Sequence, residues 1–165
     1  MGTVQNAMNQ LLATTAAAAV AGTHLSEQRK ARELTSVYNF NVASVEYNKA
    51  AKDKGAVIDE EMQRRADEEE YQKQASAHEA LAGEKNKMSK EAFDMIYGED
   101  AFAESEKHLL AERQRLDLLS KSLPKRLEEA KYRTYESELA RDHAFDMLSE
   151  KSKKEVTGGR YNGKQ

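Results

Sequence analysis

Four histidines, His24, His78, His108 and His143, are the residues best suited to chemistry in this sequence. His108 has the most useful neighbours. Glu104, His108 and Glu112 stand at i, i+4 and i+8, so a helix would place all three on one face. Two adjacent members of that series could hold a divalent metal weakly, and the simpler reading is a ladder of solvated polar side chains. Asp142, His143 and Asp146 form a looser group. There is no His-Glu-x-x-His pair, no phosphate-cradling glycine loop and no Gly-x-Ser-x-Gly elbow. Cysteine is absent, which excludes disulfides, thiolate metal sites and zinc fingers. Catalysis also needs a pocket that excludes water, and a chain built mainly of alanine and charged residues forms one poorly. The expectation is therefore no catalytic residue, no metal site, no cofactor and a role that is not enzymatic.

The elements that must carry these residues follow from composition. Apolar residues make up 39% of the 165 positions and charged residues 33%, with no Trp and a single Pro. Alanine supplies much of the apolar share and buries little surface, so the core per residue is thin. Strong helix formers dominate. The expected fold is all-α, with elongated helical hairpins or a bundle, an uncharged N-terminal helix and a flexible C-terminal tail. A formal net charge of −3 gives no global basic field for nucleic acid.

Residues 1–26 contain no charged side chain; the first is Glu27. As a helix this segment would span roughly 39 Å at about 1.5 Å per residue, more than a ~30 Å hydrocarbon layer. Leu11, Leu12, Ala16 and Val20 would be its contact residues if it is a ring-forming or membrane-contacting helix. Gln5, Asn6, Asn9 and Gln10 argue against a plain membrane span. Three readings stand: a helix packed inside an assembly, a helix that inserts conditionally into lipid, and a secretory signal ending near Ala21 but lacking a positive n-region.

Residues 27–156 form a charged long-helix region with expected breaks near 55, 83–88, 98–100 and 124. Ser26 and Asp59 are candidate N-caps, and Ser89 a third. Leu34, Tyr38, Val42 and Val45 recur as a helical packing stripe. Charges crowd 59–70, which reads as a solvated face. Phe102, Leu109, Leu116 and Leu123 follow at intervals of seven, a heptad-like seam suited to packing against another helix. A last helix is expected to run from Pro124 to about Glu155. Residues 157–165 form a flexible basic tail; with Lys151, Lys153 and Lys154 it suits non-specific contacts to DNA phosphate or to an acidic partner.

The order of these features resembles the small internal virion, or ejection, proteins of short-tailed bacteriophages. The pieces that carry the resemblance are the small-residue segment Leu11–Gly22; Tyr38-Asn39-Phe40-Asn41-Val42-Ala43 through Tyr47-Asn48-Lys49-Ala50-Ala51 to Gly55; Glu60-Glu61-Met62-Gln63-Arg64-Arg65; the corner Ala80-Leu81-Ala82-Gly83; and the return from Met88 to Ile96. The corner residues 83–87 are more charged than the small Ser/Gly-rich turn of that pattern. The resemblance implies copies packed in the capsid near the portal, in contact with the portal or other internal virion proteins. They would leave with the genome and help build a conduit in the host envelope, as a homo-oligomer in contact with the membrane. Two other classes stand beside it. One is a structural adaptor or helical oligomeric assembly protein that never meets lipid. The other is an exported cellular helical binding protein.

Overall fold

The computed structural model describes residues 4–7 and 21–158. The fold is all-α, and no strand occurs among the described residues. Four helices follow in order: α1 (Ala21–Lys87), α2 (Lys90–Tyr97), α3 (Ala101–Asp146) and α4 (Glu150–Thr157). Residues 4–7 are also helical. Leu11, Leu12, Ala16 and Val20, and the tail from residue 159 onward, lie outside the described residues.

Helix α1 runs 67 residues without interruption, which corrects the expected break near 55. A glycine inside a helix costs only about 1 kcal/mol relative to alanine, and the strong formers on either side absorb it. A Cβ at Gly55 would meet nothing within 4 Å. Ser26 and Asp59 are consequently interior residues of α1 and not caps. The helix also passes Gly83 and ends at Lys87, where Lys85 and Lys87 complement the carbonyl end of the helix dipole.

Ser89 caps α2: its Oγ accepts a hydrogen bond from the Ala92 amide at 3.2 Å. Gly98 closes that helix at φ +96°, a conformation suited to glycine, and its amide donates to the Asp94 carbonyl at 2.9 Å. Helix α3 continues through Pro124, so no new helix starts there. The predicted last helix is instead divided. α3 stops at Asp146, and Ser149 begins α4 by accepting from the Ser152 amide at 3.1 Å.

The chain forms two compact units, Met1–Lys52 with Tyr132–Gln165, and Asp53–Lys131. The second unit pairs the later part of α1 with the earlier part of α3. On α3, Leu109, Leu116 and Leu123 are buried, the last two almost completely. Val57, Leu123 and Ala130 form its apolar cluster, with Leu119 and Leu127 packed against it. The inward residues of α1 here (Val57, Glu61, Arg64, Glu68, Tyr71, Ala75, His78) alternate steps of four and three. That alternation makes a narrow seam along which the two helices pack antiparallel. The inward residues of α3 keep the same alternation to Leu123, then step four again to Leu127.

The first unit pairs the earlier part of α1 with the end of α3 and with α4. Ala31, Phe40 and Leu148 are its buried apolar residues. The Phe40 and Phe145 rings sit 5.9 Å apart at 58°. Thr134 Oγ1 donates to the Ala50 carbonyl at 3.2 Å, and the Arg141 guanidinium lies 3.9 Å from the centre of the Tyr47 ring. Glu33 holds α4, accepting from Ser149 Oγ at 2.7 Å and Ser152 Oγ at 3.1 Å.

Candidate interaction surfaces

The charged run of α1 divides: Asp59, Glu60, Arg65, Glu69 and Glu70 are exposed, the solvated face expected, whereas Glu61, Arg64, Asp67 and Glu68 are half-buried in the second unit. Their aliphatic stems can lie along apolar surface while the charged ends find partners. Across the two helices, Arg126 donates to both carboxylate oxygens of Glu60 at 2.6 and 2.9 Å. Arg115 reaches Asp67 at 2.7 Å. Arg113 grips Glu68 through two hydrogen bonds of 2.7 and 3.0 Å, and Arg64 donates to Ser120 Oγ at 3.3 Å. These pairs step backward on α3 as they step forward on α1, as an antiparallel register requires.

Electrostatics follow the same geometry. Arg64 and then Arg65, hydrogen-bonded to Glu61, hold its carboxyl down at about 2. Arg113 lowers Glu68, Arg115 lowers Asp67 and Glu112, and Arg126 lowers Glu60. In the first unit, the hydroxyls of Ser149 and Ser152 lower Glu33.

The histidine series is dispersed. His108 Nε2 meets Gln74 Oε1 of the facing helix at 3.1 Å, while Glu112 is engaged by Arg115. His78 Nδ1 lies 2.9 Å from Ser105 Oγ, and its ring stacks on Phe102 at 4.5 Å. Phe102 also carries Lys85 Nζ 4.2 Å from its centre. His78 and His108 share an open groove of about 380 Å³ with Gln74, Leu81, Ser105 and Leu109. Among the described residues no group of three or more His, Asp or Glu is arranged to hold a metal ion.

The expected packing residues divide. Leu109, Leu116 and Leu123 are buried, and Phe102 is half-buried beneath His78. On α1, Tyr38 and Val42 are half-buried, but Leu34 and Val45 are 60% and 64% exposed. Phe40 turns inward in their place. The stripe has helical spacing, but spacing alone does not say which face of α1 turns toward α3. Tyr38, Val42 and Ala43 line an open groove of about 420 Å³ with Ser137 and Ala140, and Glu46 and Glu136 give it an acidic edge. Tyr132, Tyr135 and Leu139 are exposed on α3.

The sequence reading missed the display on α2. Phe93 is buried and packs on Tyr97, with ring centres 4.8 Å apart, whereas Met95 is 87% and Ile96 64% exposed. The signal was the apolar run Met95-Ile96-Tyr97 in an eight-residue helix, too long to hide on one face. Among the described residues, no helix is long and apolar enough to cross a membrane. No protein-family model matches the chain, and no curated protein or solved structure is detectably similar to it.

Proposed function

We propose that this chain is an internal virion protein of a short-tailed bacteriophage, packed near the portal and released with the genome to help form a conduit across the host envelope. The order of its sequence features supports that reading. The observation that carries it is the distribution of apolar surface in the first unit. Leu34, Val45, Tyr132, Tyr135 and Leu139 stay exposed, while its buried apolar residues are Ala31, Phe40 and Leu148. A helical hairpin with more large apolar side chains outside than inside gains its burial by association. Other copies, the portal and other internal virion proteins would supply it. The uncharged residues 1–26 would meet the envelope or the ring, and the basic C-terminal residues would touch DNA without sequence preference.

The test is protease protection of residues 1–26 after mixing the protein with bacterial-lipid vesicles, with dye release followed in parallel. Protection with release, both lost when residues 1–26 are deleted, supports the conduit. A protein of defined oligomeric size that gains no protection points to the second reading, a structural adaptor whose N-terminal segment is covered by protein. The cross-helix ion pairs of the second unit favour that second reading, because they fix one folded register.

A further inference from the structure

Helix α3 carries a second row of heptad spacing on its solvent side. Tyr132, Tyr135 and Leu139 stand at its centre and are 62%, 59% and 52% exposed. Glu128 precedes them, and the steps along these four residues are four, three and four. The same alternation continues outward, to Lys125 and Lys121 toward the N-terminus and to Asp142 and Asp146 toward the C-terminus. All of these residues lie within α3, and all are exposed except Asp142, which is half-buried. At about 100° per residue, this alternation keeps them in one narrow stripe. An apolar centre with a basic arm at one end and an acidic arm at the other is complementary to its own reversed copy.

Charge decides between the arrangements that two copies of this stripe could take. A parallel pair sets each residue against its own counterpart, so both arms face like charges. An antiparallel pair with Tyr132 opposite Tyr135 sets Lys125 opposite Asp142, Lys121 opposite Asp146 and Leu139 opposite Glu128, each twice by symmetry. Sliding one copy by a heptad sets Glu128 against Asp146. Sliding it the other way sets the three apolar residues against Glu128, Lys125 and Lys121. Within the chain, Glu128 is already engaged by Lys131 at 3.5 Å and Asp142 by Arg141 at 3.7 Å. Lys121, Lys125 and Asp146 have no ion-pair partner among the described residues. Beside the stripe, Lys131 approaches Glu138 of the other copy and Glu129 approaches Glu136. One contact attracts and one repels, so the edges cancel and the arms decide.

We propose that two copies of this chain pair through the solvent face of α3, antiparallel, with a two-fold axis beside Tyr132 and Tyr135. The contact is isologous and closes at two copies. It covers both tyrosines and the leucine of each copy, side chains that the chain itself leaves exposed. It deepens the proposed function and rests on its reading that other copies cover this stripe. It needs no lipid.

The test uses the full chain without vesicles. Light scattering at low salt should give a dimer. Lys121→Glu with Lys125→Glu, and separately Asp142→Lys with Asp146→Lys, should each weaken dimerisation at least about tenfold with wild-type helix content. Mixing the two variants, or combining all four changes in one chain, should restore it, because the arms then attract again. The chain has no cysteine, so the register can be read directly. Glu128→Cys with Leu139→Cys should oxidise to a covalent dimer. Either change alone should not, because like positions in this antiparallel register lie about 16 Å apart along the axis. The two sites within one chain are as far apart, so they cannot link to each other. A monomeric wild type overturns the proposal. So do oligomers that neither charge variant weakens, or a cysteine pair that stays unlinked, the result expected if Leu34 and Val45 of α1 cover the stripe instead. Should either double variant lose helix, Lys121→Glu and Asp146→Lys, both at exposed positions, are compared and mixed in their place and must show the same loss and rescue. Vesicle protection and leakage that persist without the dimer would sink this contact and leave the conduit. A cross-linked dimer without leakage would sink the conduit alone.

Discussion

Arg113 shows what a charged residue does in a helix seam. Its guanidinium donates twice to Glu68, reaches Asp117 at 2.9 Å and lies 4.9 Å from the centre of the Tyr71 ring. Partly exposed ion pairs of this kind add little energy but restrict the register. Position 68 was legible as helical and charged; its partner was not, because residue type says nothing about what stands opposite. Acid titration exposes the arrangement. Glu61 is held at about 2 by Arg64 and Arg65, below its ordinary value of 4.5. A carboxyl depressed in the folded state contributes stability that is full above the unfolded value and lost as pH falls through the folded one. Glu68, Asp67, Glu60 and Glu112 shift the same way. Urea midpoints should therefore fall as pH drops from about 4.5 toward about 2, and Glu61→Gln should make that fall shallower. An unchanged slope in the variant would mean that its pairs persist in the unfolded chain.

Helix type and helix ends were legible to different degrees. Ser89 announced its cap because a polar loop preceded it. Ser149 did not, because Phe145, Leu148 and the residues beyond kept helical spacing through the break. Gly55 and Pro124 misled in the opposite sense. Both are poor helix residues whose local preference loses to the long runs around them. Each offers a direct check. With no atom within 4 Å of a Cβ at Gly55, Gly55→Ala should raise stability by about 0.5–1 kcal/mol by restricting the unfolded chain. Pro124 is exposed within α3, so Pro124→Ala restores a backbone donor and should add about 1–3 kcal/mol. Thermal unfolding of both variants decides the matter. A loss of stability at Gly55 would show that the native backbone there departs from a regular helix.

At the scale of the whole chain, the sequence showed that the core would be thin, and it located the leucine half of one seam. It did not show that the chain forms two units, because α1 and α3 each run through the boundary without a loop, although the rise in charge on α1 after Lys52 falls at that boundary. That division makes a prediction about residues 53–131. The unit holds its own apolar cluster of Val57, Leu123 and Ala130, buried Leu109 and Leu116, and its own cross-helix pairs from Glu60–Arg126 to His78–Ser105. A three-helix fragment of this size is near the lower limit for independent folding. It should nonetheless be helical by circular dichroism and unfold cooperatively in urea, with a midpoint below that of the full chain. Leu116 is fully buried, so Leu116→Ala removes about 2–5 kcal/mol, enough to abolish the transition in so small a fragment while the full chain retains one. A fragment without helix would instead mean that the pairs of the second unit form only after the first has brought α1 and α3 together.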